Sequence, residues 1–403
     1  MILIRRFVSL LVVCLVAGSG VASAQIPNLK KIKDAAKKVA KPADTAKAKA
    51  DSAPTQPAQP AANNPAAAPA AAPAQQPKPA AKVWENYDFV PGNKVIFFTD
   101  FSEDKVGNFA RGLRYKSGSM DVVERDGIKM LRATDRAAFL IPVGRKLPDR
   151  FTMEIDVIAP VEPPGGYDLL AFEGGPELDR GDASAEINWE TSGTIIIGGG
   201  LSGRTAKFPD EMQPLLRGQV AHIRVLMDGT YFKLYTNERR VYNIPALPFR
   251  RDSVIRVFFK GTEEPNQATY LTSIRVAESE TDVLYDALTA KGRWATQGIL
   301  FETGKSDLKP ESRPVLKEIA ATLTQHTDLK ILIEGHTDNV GAPASNLTLS
   351  DARAAAVKAA LVADFGVDGA RITTKGLGDT KPAAPNTSAV GRAQNRRVEV
   401  VKQ

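Results

Sequence analysis

Phe151-Thr152-Met153-Glu154-Ile155-Asp156-Val157-Ile158 alternates apolar with polar side chains. Successive side chains of a strand point to opposite faces, so this stretch predicts a β-strand with Met153 and Ile155 on its buried face. Its neighbours along the chain repeat the pattern. His222–Met227 and Tyr231–Tyr235 flank Asp228-Gly229, a hairpin signal expected to hold both turn residues at positive φ. Ser253–Lys260 and Thr269–Ala277 continue the series. A run of short strands without helical period from Lys94 to Ala277 predicts an all-β antiparallel sandwich.

The layout of these strands resembles the concanavalin-type jelly roll of laminin-G-like and lectin domains, a likeness over about residues 94–277 that rests on no diagnostic motif. The sandwich is accordingly expected to hold a ligand of its own, glycan or protein. Glu154-Ile155-Asp156 is similar to the start of the Glu-x-Asp-x-Glu signature of jelly-roll glucanases. Those enzymes use two carboxylates about 5–5.5 Å apart as nucleophile and acid/base. Here Val157, Ile158 and Ala159 follow in place of the third carboxylate, and the two acids read as solvent-facing positions. A wall-targeted glycan hydrolase with a degenerate site in the sandwich stays as the alternative class. Gly198-Gly199-Gly200 lacks the Gly-Lys-Ser/Thr of a phosphate loop and reads as a strand-end loop.

The chain of 403 residues, 43% hydrophobic and 25% charged, is long enough for two domains with separate cores. Arg5 and Arg6, the apolar run Phe7–Val16 and the small-residue site Ala22-Ser23-Ala24 predict a secretory signal peptide over residues 1–24. The run is shorter than the roughly 20 residues that span a bilayer, so a soluble, exported protein is expected. Cys14, the only cysteine, falls inside that run and reads as an ordinary apolar residue of the signal. No disulfide and no cysteine-held metal is then expected. His222, His326 and His336 show no metal-ligand spacing, and no cofactor is expected.

The formal charge of +7 gathers in Lys30–Lys49. In an exported protein such a run suits anionic lipid head groups or acidic wall polymers rather than nucleic acid, or it stays a solvated disordered segment. Asp51 to about Lys82 is almost all Ala, Pro and Gln, has too little to bury to offset its ordering entropy, and reads as an extended spacer. The expected division is a signal peptide (1–24), a disordered Lys-rich then Ala/Pro-rich linker (25–83), a β-sandwich (84–280) and a second domain (281–403).

After Ala277 the period changes. Ile299–Phe301 reads as a short strand, the run with Leu316, Ile319 and Leu323 as a helix, and Leu329–Gly335 as a buried strand. Thr348–Phe365 reads as a second helix, with Ile372–Lys375 and Val398–Val401 as further strands. This is an α+β domain with a mixed sheet and helices on one face. Gly335-His336-Thr337-Asp338 ends the central strand in a loop. Thr348-Leu349-Ser350-Asp351 matches a capping box with Thr348 as N-cap, which places Arg353 in the second turn, near the positive end of the helix dipole. A loop carboxylate and an arginine facing one region suit a zwitterion: Asp338 for an ammonium, Arg353 and helix amides for a carboxylate. A mutual Asp338–Arg353 salt bridge that pins loop to helix accounts for the same charges equally well. His336 makes no nucleophile–base pair, so binding rather than catalysis is expected.

Phe301-x-Thr303-Gly304-Lys305-Ser306-x-Leu308-x-Pro310, Gly335-His336-Thr337-Asp338-Asn339, Asn346-Leu347-Thr348-Leu349-Ser350-Asp351-Ala352-Arg353-Ala354, Gly376-Leu377-Gly378 and Asn395-Arg396-Arg397-Val398-Glu399 occur in the order of the OmpA-like C-terminal domain. Over about residues 295–403 the chain resembles that family, which includes the outer-membrane protein A tail and the peptidoglycan-associated lipoprotein. The resemblance implies non-covalent binding of peptidoglycan through meso-diaminopimelate of the stem peptide. It carries the family's aspartate and arginine onto Asp338 and Arg353, fifteen positions apart, with Thr337 in the same loop motif. It places a hydrogen-bonding position on Asn346, a backbone contact at the helix start on Leu349, and a basic position near the pocket on Arg397, which a sheet-edge charge would also explain. Gly304 and Val340 depart from the Asn and Thr of some members, which removes those side-chain contacts. The expected protein is a non-enzymatic periplasmic wall binder of a Gram-negative-type envelope, tethering the sandwich to peptidoglycan. Outer-membrane association is expected through the basic N-terminal stretch, and no nucleic-acid partner. A purely structural envelope spacer is the remaining alternative.

Overall fold

The computed structural model describes residues 86–161, 170–176, 187–189, 194–197, 204–207, 216–264, 267–279 and 284–403, with 187–189, 194–197 and 204–207 described by backbone alone. The expected signal peptide, the linker and the Gly198–Gly200 loop lie outside these residues.

Before residue 280 the described chain runs through β1 (Lys94–Thr99), β2 (Arg114–Ser117), β3 (Met120–Arg125), β4 (Ile128–Ala133), β5 (Arg136–Pro142), β6 (Arg150–Ile158), β7 (Leu170–Gly174) and β8 (Ile187–Trp189). It continues through β9 (Thr194–Ile197), β10 (Arg204–Lys207), β11 (Val220–Asp228), β12 (Tyr231–Thr236), β13 (Arg239–Ile244), β14 (Val254–Lys260) and β15 (Thr269–Glu278). One antiparallel sheet is ordered β13-β12-β11-β6-β15-β4-β3, with β1 also on β15; the other is ordered β10-β9-β8-β7-β14-β5-β2. The alternation of β6 explains how they meet. Phe151, Met153, Ile155 and Val157 share one core with Phe139 and Ile141 of β5 and Val257 and Phe259 of β14, so the sheets pack face to face.

Two expectations change here. The hairpin turns one residue later than read: Asp228 pairs with Tyr231 as the last rung, leaving Gly229-Thr230 as the turn. Gly229 sits at φ +57° and Asp228 is not at positive φ, as a turn with glycine first requires. Glu154 and Asp156 are not solvent-facing. Their side chains are only 12% and 22% exposed, because arginines of β11 and β15 close over them.

The C-terminal region adds α1 (Leu284–Ala290), β16 (Arg293–Thr296), α2 (Arg313–Gln325), β17 (Ile331–His336), α3 (Pro343–Phe365), β18 (Ile372–Gly378), α4 (Ala389–Asn395) and β19 (Val398–Lys402). Its sheet is ordered β16-β19-β17-β18 and is mixed: β17 and β18 are parallel, the other pairs antiparallel. Ile331, Ile333, Val398 and Val400 bury one face against Leu316 and Ile319 of α2 and Val357 and Leu361 of α3. Ile299–Phe301 forms no strand; Phe301 makes an isolated bridge to Leu308, and Arg293–Thr296 takes the sheet edge instead.

The helix expected from Thr348 begins five residues earlier, at Pro343. Proline at the first helical position presets φ, and Ala342 before it is extended, so the start needs no side-chain cap. Thr348 Oγ1 instead donates to Ala344 O at 3.0 Å, and Asp351 Oδ1 accepts from Gly376 N at 2.6 Å. The capping-box residues are thus spent inside the helix and across to β18. That helix lies very close to the sheet: a Cβ on Gly335 would come 2.3 Å from Ser350 O, and one on Gly376 2.4 Å from Asp351 N.

Candidate ligand-binding site

Asp338 stands two residues beyond β17, on a backbone pinned by Thr337 N donating to Gly378 O (2.9 Å) and His336 N donating to Arg397 O (3.1 Å). The buried Asn346 amide holds the same loop by donating to Asp338 O at 3.2 Å. The loop then turns on the carboxylate itself, with Val340 N donating to Asp338 Oδ1 at 3.1 Å. The other oxygen, Oδ2, accepts from Arg396 Nη1 at 2.7 Å, so Asp338 is held at 9% exposure with a guanidinium beside it.

Arg353 is the eleventh residue of α3. Three turns in, it lies outside the first turn where the helix dipole acts, so the expected placement near the positive end does not hold. Its guanidinium lies over the Phe301 ring at 4.9 Å, and its Nε donates to Lys305 O at 3.0 Å. Burial pulls the Arg353 pKa below its ordinary value, Asp338 opposes that shift, and Arg396 adds to it. No ion pair joins Asp338 to Arg353 among the described residues; the carboxylate's partner is Arg396.

The other expected residues divide. Asn346 and Thr337 sit at the Asp338 loop, and Thr337 Oγ1 is buried without a hydrogen-bond partner among the described residues. Leu349 is the seventh residue of α3, so its N–H falls within the helix's own i→i−4 ladder rather than at a free start. It lines a shallow groove between Gly304–Asp307 and α3. Arg397 turns away: its Nη2 is 2.6 Å from Glu399 Oε1 and donates to Lys381 O at 3.1 Å. Arg396, its neighbour in the sequence, is the arginine at the site. Adjacent residues entering a strand face opposite ways, so one of the pair had to turn inward, but the pattern does not say which.

His336 is buried, and neither ring nitrogen has a hydrogen-bond partner among the described residues. Burial, with the Arg397 charge adding to it, lowers its pKa to about 4, so the ring is neutral near pH 7. Glu334, His336 and Glu399 bring one ligand atom each within 4.8 Å of one another. A cation there would compete with Arg397 and Arg293, which donate to the two Glu399 oxygens at 2.7 and 2.8 Å. Those donors make the cluster a poor metal site. The acids of β6 are similarly occupied. Glu154 pairs with Arg275, and Asp156 meets Arg224 (2.7 Å), His222 Nδ1 (2.8 Å) and Ser273 Oγ (3.0 Å). Burial alone would raise the Asp156 carboxyl, but Arg224 and His222 outweigh it and hold it far below its ordinary value. A carboxylate so held makes a poor general acid.

Residues 300–396 match the OmpA family. The chain is 43% identical to outer membrane porin F of Pseudomonas aeruginosa over 101 residues, 25% of this chain and 29% of that protein. It is 48% identical to outer membrane protein A of Bordetella avium over 101 residues, 25% of this chain and 51% of that protein. Among solved structures, the peptidoglycan-associated lipoprotein of Burkholderia pseudomallei is 33% identical at a TM-score of 0.26, over 30% of this chain and 100% of that one. The chain spans less than two thirds of the length of these curated relatives. The matched range spans the segment from Phe301 to Arg396 that builds the site. Residues 300–396 of this chain are an OmpA family domain.

Proposed function

We propose that the OmpA family domain binds peptidoglycan non-covalently, in the periplasm near the outer membrane, and tethers the two-sheet region to the wall. The observation that carries this reading is that a buried Asp338 on a strand-end loop and an Arg353 seated over the Phe301 ring lie close enough to feel each other's charge without forming an ion pair. On this reading Asp338 takes the ammonium and Arg353 the carboxylate of meso-diaminopimelate in the stem peptide, and Arg396 yields part of its contact as the ammonium arrives. Asn346 keeps the loop in place rather than reaching the ligand. Each charge-assisted hydrogen bond contributes about 1.5–3 kcal/mol, so the single site is modest in affinity. The wall presents its stem peptides densely, and rebinding turns modest contacts into a durable tether.

The two facing sheets are read as a jelly-roll-like sandwich carried to the wall, itself a binding module for a glycan or protein. The chain is read as a binder without chemistry of its own, since Glu154 and Asp156 are both held by arginines. A peptidoglycan pulldown with the wild type, Asp338→Ala and Arg353→Ala tests the reading. Each substitution is expected to lower retention roughly 10-fold or more, the equivalent of about 1.4 kcal/mol or more. Retention of both folded variants at the wild-type level would sink it.

A further inference from the structure

Between the outer face of β6, β11 and β15 and the C-terminal region lies a cleft of about 280 Å3. At about 30 Å3 per liquid water, it has room for an amino-acid residue or two. Arg353 and Arg396 both line it, so it opens onto the Asp338 site. Its opposite wall belongs to the two-sheet region: Phe98, on which the Arg396 guanidinium lies at 5.0 Å, and Asp156, His222 and Ser273.

Two side chains in this cleft are more than nine-tenths buried and incompletely bonded. Gln297 Oε1 and both ring nitrogens of His336 have no hydrogen-bond partner among the described residues. Buried polar atoms are nearly always paired, so atoms left unmet point to a partner that arrives from outside the fold. A neutral imidazole offers one N–H and one lone pair, while the Gln297 oxygen accepts. Their natural complement is a group with both a donor and an acceptor, which is what a peptide unit presents. Charge on the sheet wall does not oppose such a guest, since its acids are already paired with Arg224 and Arg275. Among the described residues Arg353 hydrogen-bonds only through its Nε, which leaves its terminal nitrogens for the ligand.

We infer that this cleft receives the peptide units of the stem that adjoin the diamino acid, so that the two-sheet region forms one wall of the peptidoglycan site. The inference rests on the peptidoglycan reading above. It makes the site composite: the loop and helix take the zwitterion, and the cleft takes the peptide attached to it.

Titration calorimetry on the full chain separates the two, with free meso-diaminopimelate and a meso-diaminopimelate-containing tetrapeptide as probes. The tetrapeptide is expected to bind at least about 10-fold more tightly, or about 1.4 kcal/mol. Ser273→Trp fills the cleft from the sheet wall and leaves Asp338, Asn346, Arg353 and Arg396 in place. It should reduce the tetrapeptide to the affinity of the free amino acid, whose own binding stays unchanged. Gln297→Leu should lose several-fold on the tetrapeptide alone, and it decides the matter should Ser273→Trp fail to fold. Equal affinity of the wild type for both probes, or survival of the full gain in folded Gln297→Leu, overturns the composite cleft while leaving the peptidoglycan reading standing. Failure of the wild type to bind either probe overturns both.

Discussion

Two adjacent arginines carry the residue-scale argument. Arg396 faces Asp338 and Arg397 faces Glu399, so the same substitution should read out in different experiments. Arg396→Ala frees a carboxylate that keeps only its Val340 amide; the expected result is weaker wall retention with a stability loss of about 1 kcal/mol or less, the pair being partly exposed. Arg397→Ala instead leaves the buried Glu399 carboxylate with Arg293 and, at 3.7 Å, the neutral His336 ring, and should cost about 3 kcal/mol in a urea unfolding curve. His336 adds a pH dependence. Its pKa is near 4 in the fold and about 6.5 when unfolded, so the unfolded chain takes up the proton first as pH falls. Stability is therefore lost from about pH 6.5 down to about 4, by at most about 1.4 kcal/mol per unit, and levels off below. Thermal melts across that range should show the slope, and His336→Gln should flatten it. The sequence motif made Asp338 and Arg353 legible because their types and spacing carry the pattern. It left Arg396 hidden because partner choice between neighbouring arginines is decided by the tertiary fold.

At the scale of elements, the site depends on how closely α3 approaches the sheet. Gly335 and Gly376 are glycines because Ser350 and Asp351 of that helix occupy the space of a Cβ. Gly335→Ala must push α3 off β17, and overpacking of this kind costs about 1–3 kcal/mol. Since Asp338 follows β17 and Arg353 rides on α3, the same push also separates the two halves of the site. The expected outcome is a folded variant with a lowered melting temperature and a larger loss of wall binding than its stability loss explains, checked by calorimetry and pulldown side by side. The helix itself was legible from its apolar period, but its start was not. Pro343 and Thr348 both carry start signals, and the choice fell to proline because Thr348 and Asp351 found partners at Ala344 and Gly376. The strand read at Ile299–Phe301 failed for a related reason. An apolar triplet also suits a buried extended loop, and Phe301 is used there as the seat of Arg353.

On the scale of the whole molecule, the sequence separates two regions by their periodicities, and the buried apolar side chains form one large cluster in each. What periodicity does not register is the seam between them, built from polar groups far apart in the chain. The Gln394 amide of α4 closes the free edge of β1: its Oε1 accepts from Val95 N at 2.8 Å, and its Nε2 donates to Asn93 O at 2.6 Å. Arg392 of the same helix pairs with Glu103. Just before β1, Val90 packs on the C-terminal core while Tyr87 and Phe89 pack on Tyr235 of the two-sheet region, so one short segment is shared by both. These contacts are expected to couple the unfolding of the two regions. The full chain should therefore give a single calorimetric transition, and Gln394→Ala with Arg392→Ala should resolve it into two. Losing the paired amide bonds removes about 1–3 kcal/mol of coupling without touching either core. Two well-separated transitions already present in the wild type would show that the seam does not couple the regions. A composite ligand cleft would then lack the fixed wall it needs.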